Sequence, residues 1–141
     1  AKAIELTDSN VAINFPDAKN HVSFAEDAFK FLNDKREEYD LIILDPPAFA
    51  KHRDAVRNAL KGYKRLNRKA LEQIKPNSIL FTFSCSQVIN KDQFRLAVFS
   101  AAAEAKRNVR ILHQLTQSAD HPINIYHPEG EYLKGLVLFV E

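Results

Sequence analysis

The stretch "YDLIILDPPAF", Tyr39 to Phe49, decides the fold. Its apolar run reads as a buried strand, and Pro46 and Pro47 stop it. The first proline removes a ladder donor and pushes Asp45 away from helical geometry. Next comes "KHRDAVRNALKGYKRLNRKALEQI" (Lys51 to Ile74), a long amphipathic helical segment interrupted or kinked near Gly62. The strand "SILFTFS" (Ser78 to Ser84) follows it. Strand, helix and strand in that order imply two parallel strands joined by a crossover.

The same alternation extends in both directions. Downstream, "KDQFRLAVFSAAAEAKR" is a helix, "NVRILHQLT" a strand, and "YLKGLVLFVE" a last strand entered through the turn-rich "DHPINIYHPEGE". Upstream, "AFKFLNDKREE" (Ala28 to Glu38) reads as a helix and "HVSFAED" (His21 to Asp27) as a short strand running into a loop. The opening "AKAIELTDSNVAINF" places Ala3, Ile4, Leu6, Val11 and Ala12 roughly on one side of a helix. The expectation is an α/β fold with a mostly parallel sheet, in one domain spanning residues 1–141, without internal repeats.

Composition narrows the function. The 141 residues are 45% apolar and 27% charged, as in an ordinary soluble globule. Twenty Lys and Arg against 18 Asp and Glu leave a net charge of +2, so a strongly basic nucleic-acid wrapper is not indicated. No apolar stretch is long enough to span a bilayer. A single cysteine makes no internal disulfide, and a reducing cytoplasm is the default. Five histidines without carboxylate or cysteine clusters give no metal site. The chain starts at Ala1 and contains no Met, as a fragment of a longer protein does.

Ligands of open parallel sheets bind at the carboxyl ends of strands. "ILDPPAF" (Ile43 to Phe49) and "FSCSQ" (Phe83 to Gln87) therefore open into one crevice, and Cys85 stands in it between Ser84 and Ser86. Two readings compete there. Asp-Pro-Pro is a good strand terminator and a lone cysteine is often core filling; alternatively, carboxylate and thiol are chemistry.

The run Asp45-Pro46-Pro47-Ala48-Phe49 resembles motif IV of class I S-adenosylmethionine (SAM) dependent methyltransferases, with one alanine separating the second proline from the aromatic. Followed by Lys51, and joined by "GYKRLN", "TFSCS", "ADHP" and "PEGEYLKG", it is similar to the bacterial large-subunit rRNA cytosine-C5 methyltransferases that carry an N-terminal PUA domain. The likeness covers essentially the whole chain. It implies a Rossmann-like fold with helices on both faces. The chain then matches the C-terminal portion of the catalytic domain, and the first strands, their glycine-rich loop and the PUA domain belong upstream. SAM is the implied cofactor and ribosomal RNA the implied partner, with no membrane; a homodimer is allowed.

The resemblance also assigns roles. Carbon 5 of cytosine is a poor nucleophile until a thiolate adds to carbon 6, and Cys85 is the candidate. Lys51, Lys64 or Lys91 supply positive potential to it. Asp45 hydrogen-bonds the base, and with Pro46 it borders the cofactor. Asp27 matches the acid that binds the SAM adenine amino group, or caps a helix. Pro47 holds the loop, and Phe49 stacks on base or cofactor or fills the core beneath. Tyr63, Lys64 and Asn67 share a helical turn and face the crevice and RNA, or form a solvated basic face. Ser84 and Ser86 orient the loop or the base; His121-Pro122 and Glu129 to Lys134 lie in the loop before the last strand and close the site over the nucleotide, or His121 is structural or exposed. Two other readings stay open. One is methylation of guanine or adenine, which needs no thiol; the other is a truncated module that binds RNA or self-associates without catalysis.

Overall fold

The computed structural model describes residues 2–34 and 37–141, which fall into two compact units, residues 1–31 and 32–141. In the first, α1 (Lys2–Asn14) is a single helix. It buries none of its residues, and Leu6 is exposed, so the apolar side expected of it has no cover within this unit. The segment expected as a strand, His21 to Asp27, is irregular. A strand is stable only when a neighbour takes its backbone groups. The first unit closes with α2 (Ala28–Phe31), whose expected continuation to Glu38 passes into a 3₁₀ turn at Leu32–Asp34, with Lys35 and Arg36 outside the described residues.

The second unit is a four-stranded sheet under two helices. In chain order its elements are β1 (Leu41–Leu44), α3 (Val56–Gln73), β2 (Ser78–Ser84), α4 (Lys91–Ala105), β3 (Val109–Leu115) and β4 (Lys134–Val140). The strands lie in the order β1-β2-β4-β3. β1 and β2 pair in parallel, whereas β4 is antiparallel to both β2 and β3. The sheet is mixed, within the expected α/β class. β1, β2 and β3 do share one direction, because helices carry the chain back between them. β3 and β4 are joined by a loop with no crossover helix, so β4 returns reversed and inserts beside β2.

Helices α3 and α4 pack on each other and so cover the same face of the sheet. Ile42, Leu44, Leu80, Leu136, Leu138 and Val140 point into that face and are buried. The alternate residues face the other way: Leu41 and Ile43 are exposed, and Ile79, Phe81 and Phe83 are half-buried. β1 is thus buried on one face only, which gives it a period of two where a wholly buried run was expected. Gly135 belongs on this open face because a Cβ there would stand 2.6 Å from the Phe83 ring.

Local chemistry sets the ends of the elements. Asn90 caps α4 by accepting from the Gln93 N–H while the Gln93 side chain accepts from the Asn90 N–H, and left-handed Lys106 ends the helix. α3 runs unbroken through Gly62, where a kink was expected. The glycine is there because the Phe49 ring lies on it: an added Cβ would meet that ring at 2.9 Å. Arg107 ties the far end together. Its guanidinium donates to the carbonyls of Leu71, Ile74, Lys75 and Glu141, satisfying acceptors at the end of α3 that no helical N–H reaches.

Candidate active site

The parallel register sets Leu44 beside Thr82, so the segments leaving β1 and β2 emerge at the same edge. After β1, Asp45 and Pro47 are exposed and Pro46 is half-buried. After β2 the strand alternation continues past its end: Ser84 and Ser86 are wholly buried, and Cys85 between them is partly open. Cys85 Sγ lies 3.9 Å from the Pro46 carbonyl oxygen, a weak S–H donor contact between the two loops. The sequence-predicted meeting of the two strand ends is realised.

Ser86 locks this arrangement. Its hydroxyl pairs with the Tyr63 hydroxyl at 3.0 Å and accepts from the Ala50 N–H at 3.3 Å. Its own N–H donates to Ser84 Oγ at 3.4 Å, and its carbonyl accepts from Lys134 Nζ at 2.6 Å. The Phe49 N–H reaches the Tyr63 hydroxyl at 3.5 Å. Bonds on both sides of Cys85 therefore fix its backbone while its sulfur stays accessible. A cavity of about 380 Å³ opens in front, lined by Ala48, Ala50, Lys51, Cys85, Gln87 and Tyr132. That is within the size range of small-ligand sites.

Other expected site residues fall elsewhere. Tyr63 and Asn67 are wholly buried, which corrects their placement on the crevice surface. They sit on the core stripe of α3 with Leu66, Ala70 and Leu71, where Asn67 donates back to the Tyr63 carbonyl. Lys64 is turned to α4 and pairs with Glu104 at 2.8 Å, so it too is not a crevice residue. This pairing, with Arg68 beside it, holds the Glu104 carboxyl below its ordinary value. Phe49 packs on Tyr63 with ring centroids 4.6 Å apart, the core reading of that residue. Lys51 is exposed at the cavity, Lys91 pairs with Glu131, and His121 is exposed beside Asp120 at 3.0 Å. In the first unit Asp27 caps α2: its Oδ1 accepts from the N–H groups of Phe29 and Lys30.

Sequence reasoning placed Gln87, Tyr132 and Lys134 in segments that border the crevice, without giving any of them a role of its own. The core position of Tyr63 had a signal: residues 63, 66, 67, 70, 71 and 74 recur at helical spacing.

The chain shares its fold with methyltransferases. A structure of a methyltransferase complexed with SAH superposes with a TM-score of 0.81 at 24% identity, over 98% of this chain and 36% of that one. A SAM-dependent methyltransferase from Streptococcus mutans gives 0.78 at 22% identity, over the same shares. Among curated proteins, Ribosomal RNA large subunit methyltransferase I of Shewanella denitrificans is 43% identical over 97% of this chain. The protein of that name from Citrobacter koseri is 37% identical over 95%. The chain spans 35% of the length of these relatives. No protein-family model matches it.

Proposed function

We propose that the chain is part of the catalytic domain of a SAM-dependent methyltransferase that acts on carbon 5 of a cytosine in large-subunit rRNA, with Cys85 as covalent nucleophile. The observation that carries this reading is the partly open Cys85 sulfur, 3.9 Å from the Pro46 carbonyl of the Asp-Pro-Pro turn. The names of the similar proteins support the substrate class. A thiol at this place favours carbon 5, because a ring nitrogen already has a lone pair and needs no adduct.

Within the second unit, Asp45 and the Pro46 carbonyl stand at the carboxyl end of β1 and are acceptors of the kind that would border the cofactor. SAM, when bound, supplies an electrophilic methyl group. A base flipped out of its RNA enters beside Cys85. The Cys85 thiolate would add to carbon 6, forming an S–C bond and moving the double-bond pair to carbon 5, which would bond the methyl while the pair of the broken sulfonium–methyl bond stays on the cofactor sulfur. Asp45 accepts a hydrogen bond from the exocyclic amine and stabilises charge developing on the ring. A base then removes the carbon 5 proton, the C–H pair restores the double bond, and the S–C pair returns to Cys85. Lys51, exposed at the cavity, meets an RNA phosphate.

The reading is tested by incubating the full-length protein with SAM and large-subunit rRNA, then analysing nucleosides by mass spectrometry. The expected product is 5-methylcytidine. A methyl group on a ring nitrogen or on a purine transfers support to the purine-methylating reading.

A further inference from the structure

Lys134, the first residue of β4, is only 5% exposed, a rare state for a lysine. Register places it opposite Ser84 on the helix-covered face. Its ammonium donates to the Ser86 carbonyl at 2.6 Å and to the Tyr132 carbonyl at 2.7 Å. Carbonyl dipoles satisfy an ammonium without neutralising it, so its field still reaches its neighbours. Burial lowers the Lys134 pKa from its ordinary value, while the charges of Cys85 and Glu131 act to raise it and that of Lys91 to lower it. The ammonium thus sits against the carbonyl of the residue that follows Cys85 and against that of Tyr132, which lines the same cavity as the thiol.

The surrounding groups single out this lysine. Asp45 and Lys51 come from the segment after β1, Tyr63 from α3, Lys91 from α4, and Glu131 and Tyr132 from the loop before β4. Lys91 is paired with Glu131 and Lys64 with Glu104, and Lys51 is exposed, where solvent and salt screen it. Among the described residues Lys134 is the buried cation, and it is bonded to the residue that follows the thiol.

We propose that Lys134 is a positioning residue for Cys85: its ammonium pins the Ser86 carbonyl, and its charge favours the thiolate form of the neighbouring sulfur. The proposal rests on the reading of Cys85 as nucleophile. A neighbouring cation raises the thiolate fraction available near neutrality.

The test is alkylation of Cys85 by iodoacetamide across pH, followed on the Cys85 peptide by mass spectrometry. Lys134→Met is expected to slow alkylation at neutral pH by about tenfold, with rates converging in strong alkali, and Lys134→Arg to restore most of the rate. A Lys134→Met chain that is alkylated as fast as the parent at every pH overturns the proposal. Should Lys134→Met fail to fold, NMR titration of the Lys134 Cε in parent and Cys85→Ser chains decides. Removal of the sulfur is expected to move that titration to lower pH, and superimposable curves overturn the proposal. Failure of the nucleophile reading shows differently, as methylation by Cys85→Ala in the full-length protein, and removes any catalytic use of Lys134; unchanged alkylation removes Lys134 alone.

Discussion

Cys85 Sγ and the carbonyl oxygen of Pro46 lie 3.9 Å apart, although 39 positions separate the two residues in the chain. The parallel register of β1 and β2 produces the approach, since both strands end at one edge. The thiol therefore meets the Asp-Pro-Pro turn at the edge where both strands end. What holds it there gives the first prediction.

Tyr63→Phe deletes the hydroxyl shared by Ser86 Oγ and the Phe49 N–H. The wholly buried Ser86 hydroxyl loses a partner, so unfolding free energy should fall by about 1–2 kcal/mol in urea titrations. Turnover of the full-length protein should fall further than this stability loss explains, because the loop bearing Cys85 is freed on one side. A variant with parent stability and turnover would show that the bond does not hold the loop.

Asp45 is exposed, so Asp45→Asn should leave the melting curve unchanged. It should slow methyl transfer by about 10²-fold, as loss of a transition-state hydrogen-bonding partner does. Single-turnover kinetics separate this from weaker binding. Unchanged kinetics reduce Asp45 to a strand terminator.

Arg107 is half-buried and donates to four carbonyls. Arg107→Ala should cost about 2–4 kcal/mol of stability, because several buried carbonyls lose a charged donor. Arg107→Lys should recover only part of this, since one ammonium cannot span the set. Denaturant midpoints of the two variants give the comparison.

The Lys64 hydrogen bond is the largest cause that lowers the Glu104 pKa. A carboxyl with a depressed folded value contributes stability above its unfolded value, and this is lost as pH falls through the folded one. Glu104→Gln should therefore be less stable than the parent near neutrality, and the gap should close in acid below the ordinary value of 4.5. The pair is exposed, so the gap should be small and should shrink in salt. A gap that persists unchanged in strong acid would assign the loss to packing.

Where one physical signal dominated, the sequence was legible. β2 reads correctly from its β-branched and aromatic run, and α4 from its helical period. The loops bearing Cys85 and Asp45 meet as expected because strand direction alone brings them to one edge. Tyr63 and Asn67 were misplaced because neighbouring Lys and Arg made the segment look solvated, while their 3–4 spacing with Leu66, Ala70 and Leu71 marked the core. The place of β4 between β2 and β3 was hidden, since a long loop between two strands does not disclose which neighbour the second one finds. Lys134 was hidden too: only its register against Ser84 shows that it is buried beside the thiol.

Covalent trapping tests the central claim most directly. The full-length protein is given SAM and rRNA carrying 5-fluorocytosine at the target, and the products are separated under denaturing conditions. Fluorine cannot leave as a proton does, so elimination fails after methyl transfer and the Cys85 bond to carbon 6 persists. The account predicts a protein–RNA band that survives denaturation, maps to Cys85, and disappears in Cys85→Ala together with methylation. Methylation by Cys85→Ala, with no band in the parent, would contradict it.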